Sequence, residues 1–244
     1  MKTISGLRAA ALAMAAFMLF AGAVSDARAE PDNVTSRERI LRDPQIPSLG
    51  NPDGDVTIVE WFDYQCPYCK ALHPELEKII KEDGHVRLVV KDWPILGPPS
   101  PEASRLVLAT KYQGKFGEAH NALMAHVGRL TTSTIDETLA AAGVDVAKAK
   151  ADLETHKAEI EALLTRNNEQ AEGLGFNSTP SFIVGTFRIP GVMKPELFKL
   201  AIADARAKAK QENKAKAESG KAAQKAKSKS KPKAAPKTKE APAK

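Results

Sequence analysis

Residues 56–63 read V-T-I-V-E-W-F-D, a β-rich and mostly apolar run that predicts a buried central strand. Over 70–81 the apolar positions change period. Leu72, Leu76, Ile79 and Ile80 fall at helical spacing, and Pro74 should kink this helix without ending it, because the periodicity continues beyond it. Asp83-Gly84 closes the helix, and 86–91 predicts a second strand. Strand, helix and strand form a β-α-β unit, so the two strands are expected to be parallel. Helical patterning then holds over 100–172. Ala103, Leu106, Val107 and Ala109 mark one helix, and Ala119, Leu123, Met124 and Val127 mark another. A short helix follows at 135–142, Asp145 can cap the next, and Ile160, Leu163 and Leu164 belong to a long last one. Strands at 181–184 and 186–189 flank Gly185 as a tight hairpin. A final helix at 194–207 offers Leu197, Phe198, Leu200, Ala201 and Ile202 as its buried face. Ahead of these elements, 30–55 is polar, carries Pro31, Pro44, Pro47 and Pro52, and predicts an arm with one short helix near 36–42.

The two ends read differently. Lys2 and Arg8 precede a 16-residue apolar stretch from Ala9 to Val24, and Ala27-Arg28-Ala29 supplies a small-x-small pattern. Residues 1–29 therefore predict a secretory signal cleaved before Glu30. The apolar run is shorter than the roughly 20 residues a membrane anchor needs. The compartment this implies is a periplasm, where disulfides form. From Lys208 to Lys244, Ala is the only hydrophobic residue, and Pro232, Pro236 and Pro242 interrupt any continuous helix. That stretch predicts a disordered basic tail, into which the preceding helix can run a few turns. Its functional reading is electrostatic contact with an anionic envelope surface.

Charge sharpens this division. The whole chain of 244 residues carries +6, but 208–244 contributes +10 and 1–29 contributes +2, leaving −6 on 30–207. The folded part is acidic, which argues against a nucleic-acid-binding face. Two cysteines exclude a disulfide-dense scaffold.

Those two cysteines carry the chemistry. Cys66-Pro67-Tyr68-Cys69 stands where a strand ends and a helix begins. Unpaired N–H groups and the positive end of the helix dipole favour an anion there, so Cys66 is expected to be an exposed nucleophile of low pKa. Pro67 fits the first helical turn, where its missing N–H costs nothing. Cys69 lies one turn along, faces inward and can resolve a mixed disulfide. As a structural staple the pair would close too small a loop to constrain the chain much. A zinc site needs further ligands at short spacing, and none of the five histidines supplies such a pair. Glu60 precedes Cys66 by six residues in an otherwise apolar strand and shares its face with Phe62 and Tyr64. A buried carboxylate there could carry the Cys69 proton. Lys91 is a less favoured partner for it. Thr179-Pro180, just before a strand, is a site for a cis bond and for pairing with an extended substrate chain.

F-D-Y-Q-C-P-Y-C-K, then K-D-W-P-I-L-G, a helical block and T-P-S-F-I-V-G together resemble the DsbA family of periplasmic thiol-disulfide oxidoreductases. The style is closest to its Com1-like and ScsC-like branch, and the similarity covers about 48–206. The resemblance implies an α/β, thioredoxin-like fold at 56–207 with a helical insertion at about 100–172. It makes Cys66 the nucleophile, Cys69 the resolving thiol, Glu60 the buried acid and Thr179-Pro180 the substrate loop, flanked by Pro67 and Tyr68. It implies no cofactor beyond the redox-active cysteine pair. The partners it implies are cysteine-containing exported proteins and a membrane redox protein. A DsbB-like partner would recharge an oxidase, and a DsbD-like partner would keep an isomerase or reductase reduced. Oxidase is the favoured direction. Soft thiolates also suit Cu(I), so a copper- or peptide-binding module is the competing reading.

Overall fold

The computed structural model describes residues 33–229. The expected signal at 1–29 and the end of the basic tail, 230–244, lie outside the described residues.

Every residue of β2 (Val56–Phe62) is buried, as its β-branched and aromatic content requires of a central strand. It lies in the middle of a five-stranded sheet of order β1-β3-β2-β4-β5. β3 (Val86–Asp92) pairs with it in parallel and β4 (Ser181–Val184) antiparallel. β5 (Phe187–Pro190) completes the hairpin with β4. Glu60 has Val90 and Phe182 as cross-strand partners, so these three side chains share one face. On that face Phe182 meets Phe198 edge-on at 5.0 Å. The other face carries Trp61, whose indole N–H donates to the Asn167 carbonyl at 3.0 Å.

α2 (Pro67–Asp83) crosses from β2 to β3 and runs through Pro74 without a break. Gly84 ends it at φ +71°, in the left-handed region, with its N–H donating to the Ile80 carbonyl. The helical insertion comprises α3 (Pro99–Ala109), a 3-10 turn (Thr110–Gln113), α4 (Phe116–Ala125), α5 (Thr132–Ala141), α6 (Val146–Thr155) and α7 (Lys157–Gly173). Asp145 caps α6 by accepting from the Lys148 N–H at 2.9 Å.

Three expectations need correction. The arm at 30–55 has the short helix expected near 36–42 but also a strand that patterning did not show. It supplies α1 (Arg37–Leu41) and a strand, β1 (Ser48–Gly50), that pairs antiparallel with β3. Ile40, Leu41 and Ile46 are buried, and the buried Asp43 carboxylate pairs with Arg166 at 2.8 Å. Three residues among prolines are too few to show a strand period, so β1 was invisible to patterning. Val127 lies beyond the end of α4 and is 92% exposed. The last helix, α8 (Pro195–Lys229), buries Phe198, Ile202 and Ala205 at helical spacing, whereas Leu197 and Leu200 face solvent.

α8 also continues to Lys229, where a disordered tail was expected from 208. Ala, Lys, Gln and Glu are good helix formers, and the first proline in this stretch comes at 232. From Gln211 to Lys221 every residue is exposed, so this extension packs on nothing in the body. No helix among the described residues is long and apolar enough to cross a membrane.

This packing predicts a sharp contrast. Phe198→Ala removes a ring with no exposure and should lower unfolding stability by about 3–5 kcal/mol in urea titration. Deleting residues from Asn213 onward should change it by less than about 0.5 kcal/mol.

Candidate active site

The site begins where β2 stops. Asp63 is fully buried, and its carboxylate gathers donors from three segments. It accepts from the N–H groups of Gln65 at 2.7 Å, Ile95 at 2.8 Å and Leu96 at 2.9 Å, and from the Ser100 hydroxyl at 2.6 Å. Its main-chain carbonyl takes the Cys66 N–H at 3.0 Å. The turn that presents the cysteines is thus pinned to the loop after β3 and to the start of α3. Patterning missed Asp63, although an aspartate two residues ahead of a turn N–H is a recognisable local signal.

Cys66 is the N-cap of α2, with Pro67 in its first turn. Its sulfur accepts from the Cys69 N–H at 3.4 Å. Across the gap, Thr179-Pro180 forms a cis peptide, and the Cys66 Sγ lies 3.2 Å from the Thr179 carbonyl, to which the protonated thiol donates. Both cysteines are free thiols, and no residue of Cys69 is exposed. Cys66 was expected to be exposed, but it is only 2% so. The Thr179-Pro180 loop covers the sulfur, and the motif instead turns Pro67 and Tyr68 outward, with Tyr68 65% exposed.

The two sulfurs have opposite electrostatics. The Cys69 side chain donates to Cys66 and is the largest influence drawing its pKa down to about 6. The Thr179 side chain and the N–H groups of Cys69 and Tyr68 add to it, and burial opposes them. Ionisation of Cys66 is thereby favoured near neutral pH. Cys69 is pushed far up, first by burial, then by its donation to Cys66 and by Glu60. Burial, helped by the Cys66 charge, raises Glu60 to about 8. Glu60 is therefore largely protonated at neutral pH beside the buried thiol.

Lys91 does not partner it. Its Cα pairs with Trp61, which puts it on the opposite face of the sheet. There its ammonium sits 5.7 Å from the Trp61 ring centroid, and burial lowers its pKa to about 7. Among the described residues, no group of three or more His, Cys, Asp or Glu is placed to hold a metal ion.

A strand leading to a Cys-x-x-Cys N-cap, a crossover helix and a facing Thr-Pro loop on a central parallel pair define a known architecture, and the thioredoxin family matches residues 43–204. The chain belongs to the thioredoxin family. Within it, the chain is similar to a thioredoxin-like oxidoreductase from Silicibacter pomeroyi DSS-3, at 38% identity and a TM-score of 0.68, covering 70% of this chain and 98% of that one. A periplasmic thioredoxin-like protein from Salmonella enterica serovar Typhimurium is 27% identical with a TM-score of 0.63, over 73% of this chain and 99% of that one. The catalytic domain of Proteus mirabilis ScsC is 26% identical with a TM-score of 0.63, over 70% of this chain and 94% of that one. Curated relatives include a Na(+)/H(+) antiporter NhaA 1 from Mycobacterium sp. (strain KMS), 30% identical over 145 residues. The matched region is 58% of this chain but only 24% of that protein, so its transport is no guide here.

The raised Glu60 sets a pH dependence. Between about 4.5 and about 8 the unfolded chain releases this proton while the folded thioredoxin domain retains it, so Glu60 lowers stability as pH rises through that window. Glu60→Gln should stabilise the reduced protein, with a gain growing from nothing near pH 4 to at most about 5 kcal/mol above pH 8. Urea unfolding across pH reads the difference. Thiolate absorbance should place the Cys66 midpoint near 6, and Cys69→Ala should move it upward by removing the thiol donor.

Proposed function

We propose that this protein exchanges a Cys66–Cys69 disulfide with cysteines of exported proteins, and that it works chiefly as a dithiol oxidase in the periplasm. The observation that carries this reading is the Cys66 sulfur, capping α2 beneath Thr179-Pro180 with the Cys69 N–H on it and its pKa lowered. A partner thiolate attacks Sγ of Cys66 and expels Cys69, which takes up a proton. The partner's second thiolate then attacks its own sulfur in the mixed disulfide and expels Cys66 as a thiolate. Two electrons pass to the enzyme, and the partner gains one disulfide. Stabilising the Cys66 thiolate stabilises the reduced enzyme, which makes the disulfide a stronger oxidant.

The outward Pro67 and Tyr68 would meet the partner chain, and the Thr179 strand end would align it by strand addition. The site needs no cofactor besides the cysteine pair. A turnover leaves the enzyme reduced, so a DsbB-like membrane oxidant is the partner this direction requires. A DsbD-like reductase would serve the opposite direction. The 1–29 reading and the periplasmic Salmonella relative support the compartment. The lysine-rich end of α8 and the residues beyond it would add contact with anionic envelope surfaces.

Cys69→Ser should accumulate mixed disulfides with exported proteins, and Cys66→Ser should accumulate none. The wild type should oxidise reduced ribonuclease, and in-cell thiol trapping should find Cys66 and Cys69 mostly oxidised. A mostly reduced pair would reverse the direction. The absence of both mixed disulfides and exchange activity would refute the reading.

A further inference from the structure

The redox pocket contains a second carboxyl that exchange between two cysteines does not require. Asp92 ends β3 with no exposure. Its Cα pairs with Phe62, as that of Val90 pairs with Glu60. Both acids therefore stand on the same face of adjacent strands, in diagonal positions roughly 7–8 Å apart at the backbone. Among the described residues, neither carboxyl oxygen of Asp92 has a hydrogen-bond partner. The Ser104 hydroxyl of α3, likewise without a geometric partner, and the N–H of Asp92 itself pull its proton affinity down, against burial. The backbone carbonyl of Asp92 is fixed by the Asn167 side chain at 3.1 Å, so the main chain is anchored while neither carboxyl oxygen makes a hydrogen bond of good geometry. A buried carboxylate without donors costs several kcal/mol, which favours the proton-bound form.

Its surroundings point the same way. Glu60 shares its face from β2, Asp63 and Tyr64 reach it electrostatically from the following turn, and Ser104 reaches it from α3. Behind Tyr64 lie His120 of α4 and, against its ring, His73 of α2, while Cys69 of α2 feels Glu60. Lys91 and Arg87 pair with Trp61 and Thr57, on the opposite face. Lys70 of α2 is committed to the carbonyls of Leu123 at 2.8 Å and His126 at 2.7 Å. The Tyr64 ring packs edge-on against Phe62 at 4.9 Å, and its hydroxyl shares a 3.1 Å hydrogen bond with Nδ1 of His120. Burial raises the Tyr64 hydroxyl well above its ordinary range, and Asp92 and then Glu60 add to this, so both acids lie within its electrostatic reach. Burial keeps His120 neutral by lowering it to about 3, and raises Asp92 to about 7, beside Glu60 at about 8.

We propose that Asp92 is a second proton-binding group of the redox site, coupled to Glu60 and Tyr64 and not acting directly on either sulfur. The proposal rests on the exchange reading above. When a partner dithiol becomes a disulfide it gives up two electrons and two protons. The electrons enter the Cys66–Cys69 bond, and one proton stays on Cys69. Cys66 remains a thiolate, so the second proton has no sulfur to occupy. The new charge on Cys66 raises the proton affinity of Glu60, and Asp92, linked to the same pocket, divides that proton with it. Reoxidation of the pair releases it. Asp92 is thus a positioning residue for the proton balance.

The test uses the full-length protein. The equilibrium constant with glutathione, measured from about pH 6 to about pH 9, should bend near 7 and near 8 in the wild type. In Asp92→Asn the bend near 7 should vanish, and the constant at pH 8 should change by about threefold or more. The second readout is the infrared difference between dithiothreitol-reduced and oxidised wild type carrying carboxyl-labelled aspartate. The carbonyl stretch of a protonated buried aspartate should change with redox state and disappear in Asp92→Asn. An aspartate signal identical in both redox states, or an Asn variant with the wild-type pH profile, overturns the proposal. If the Asn variant does not fold, the wild-type infrared difference decides alone. Because dithiothreitol replaces the protein partner, failure of exchange with exported proteins alongside a redox-linked Asp92 signal would strike the functional reading only.

Discussion

An anion at the mouth of a helix meets unpaired N–H groups and the positive end of the dipole. The same anion one turn deeper is buried and faces an acid and a second sulfur, which disfavour its charge. Cys66 and Cys69 occupy these two positions, three residues apart. That placement separates their proton affinities in opposite directions, and the rest of the site follows from it. The Cys69 thiol supplies the strongest donor to Cys66, so the resolving cysteine also stabilises the nucleophile. Each sulfur depends on the other's protonation state. In the proposed exchange Cys69 can attack only once its proton leaves, and Glu60 is the acid close enough to act on it.

Holding a sulfur at the N-cap needs a rigid turn, and Asp63 provides the rigidity. Four donors on one buried carboxylate offset its desolvation. They also tie the cysteine turn to the loop at Ile95–Leu96 and to α3. The helical insertion is therefore mechanically continuous with the redox helix. Lys70 extends the connection by joining α2 to the last carbonyls of α4. Movement of the insertion would be felt at Cys66 through these two side chains.

Local features of this arrangement were legible in the sequence and long-range ones were not. The run 56–63, the helical spacing of Leu72, Leu76 and Ile79, the cysteine pair at a strand-to-helix junction and the proline before β4 each carry their meaning within a few residues. β1 has three residues and owes its existence to the exposed edge of β3, so no local period announces it. Val127 and Leu200 continue helical patterns that the fold interrupts or turns outward. The burial of Cys66 depends on a loop more than 110 residues away. Lys91 and Asp92 are adjacent, and nothing local says which of them faces Glu60. Only the register with β2 assigns the acid to one face and the cation to the other.

That assignment has consequences for the chemistry. Were the register shifted by one residue, the Lys91 ammonium would stand beside Glu60. An opposite charge at that distance would drive the carboxyl to its ionised form and fix its proton balance outside the useful range. Instead the sheet separates two functions. The Trp61 face holds the cation and its compensating groups. Lys91 lies near the Trp61 ring and feels Asp43 from the arm, while Asp43 itself pairs with Arg166 of α7. The Glu60 face carries Phe62, Val90 and Asp92 from the two parallel strands, and Lys91 and Arg87 are not on it. The register with β2 keeps Lys91 on the far side of the sheet, and Asp43 of the arm offsets part of its charge there.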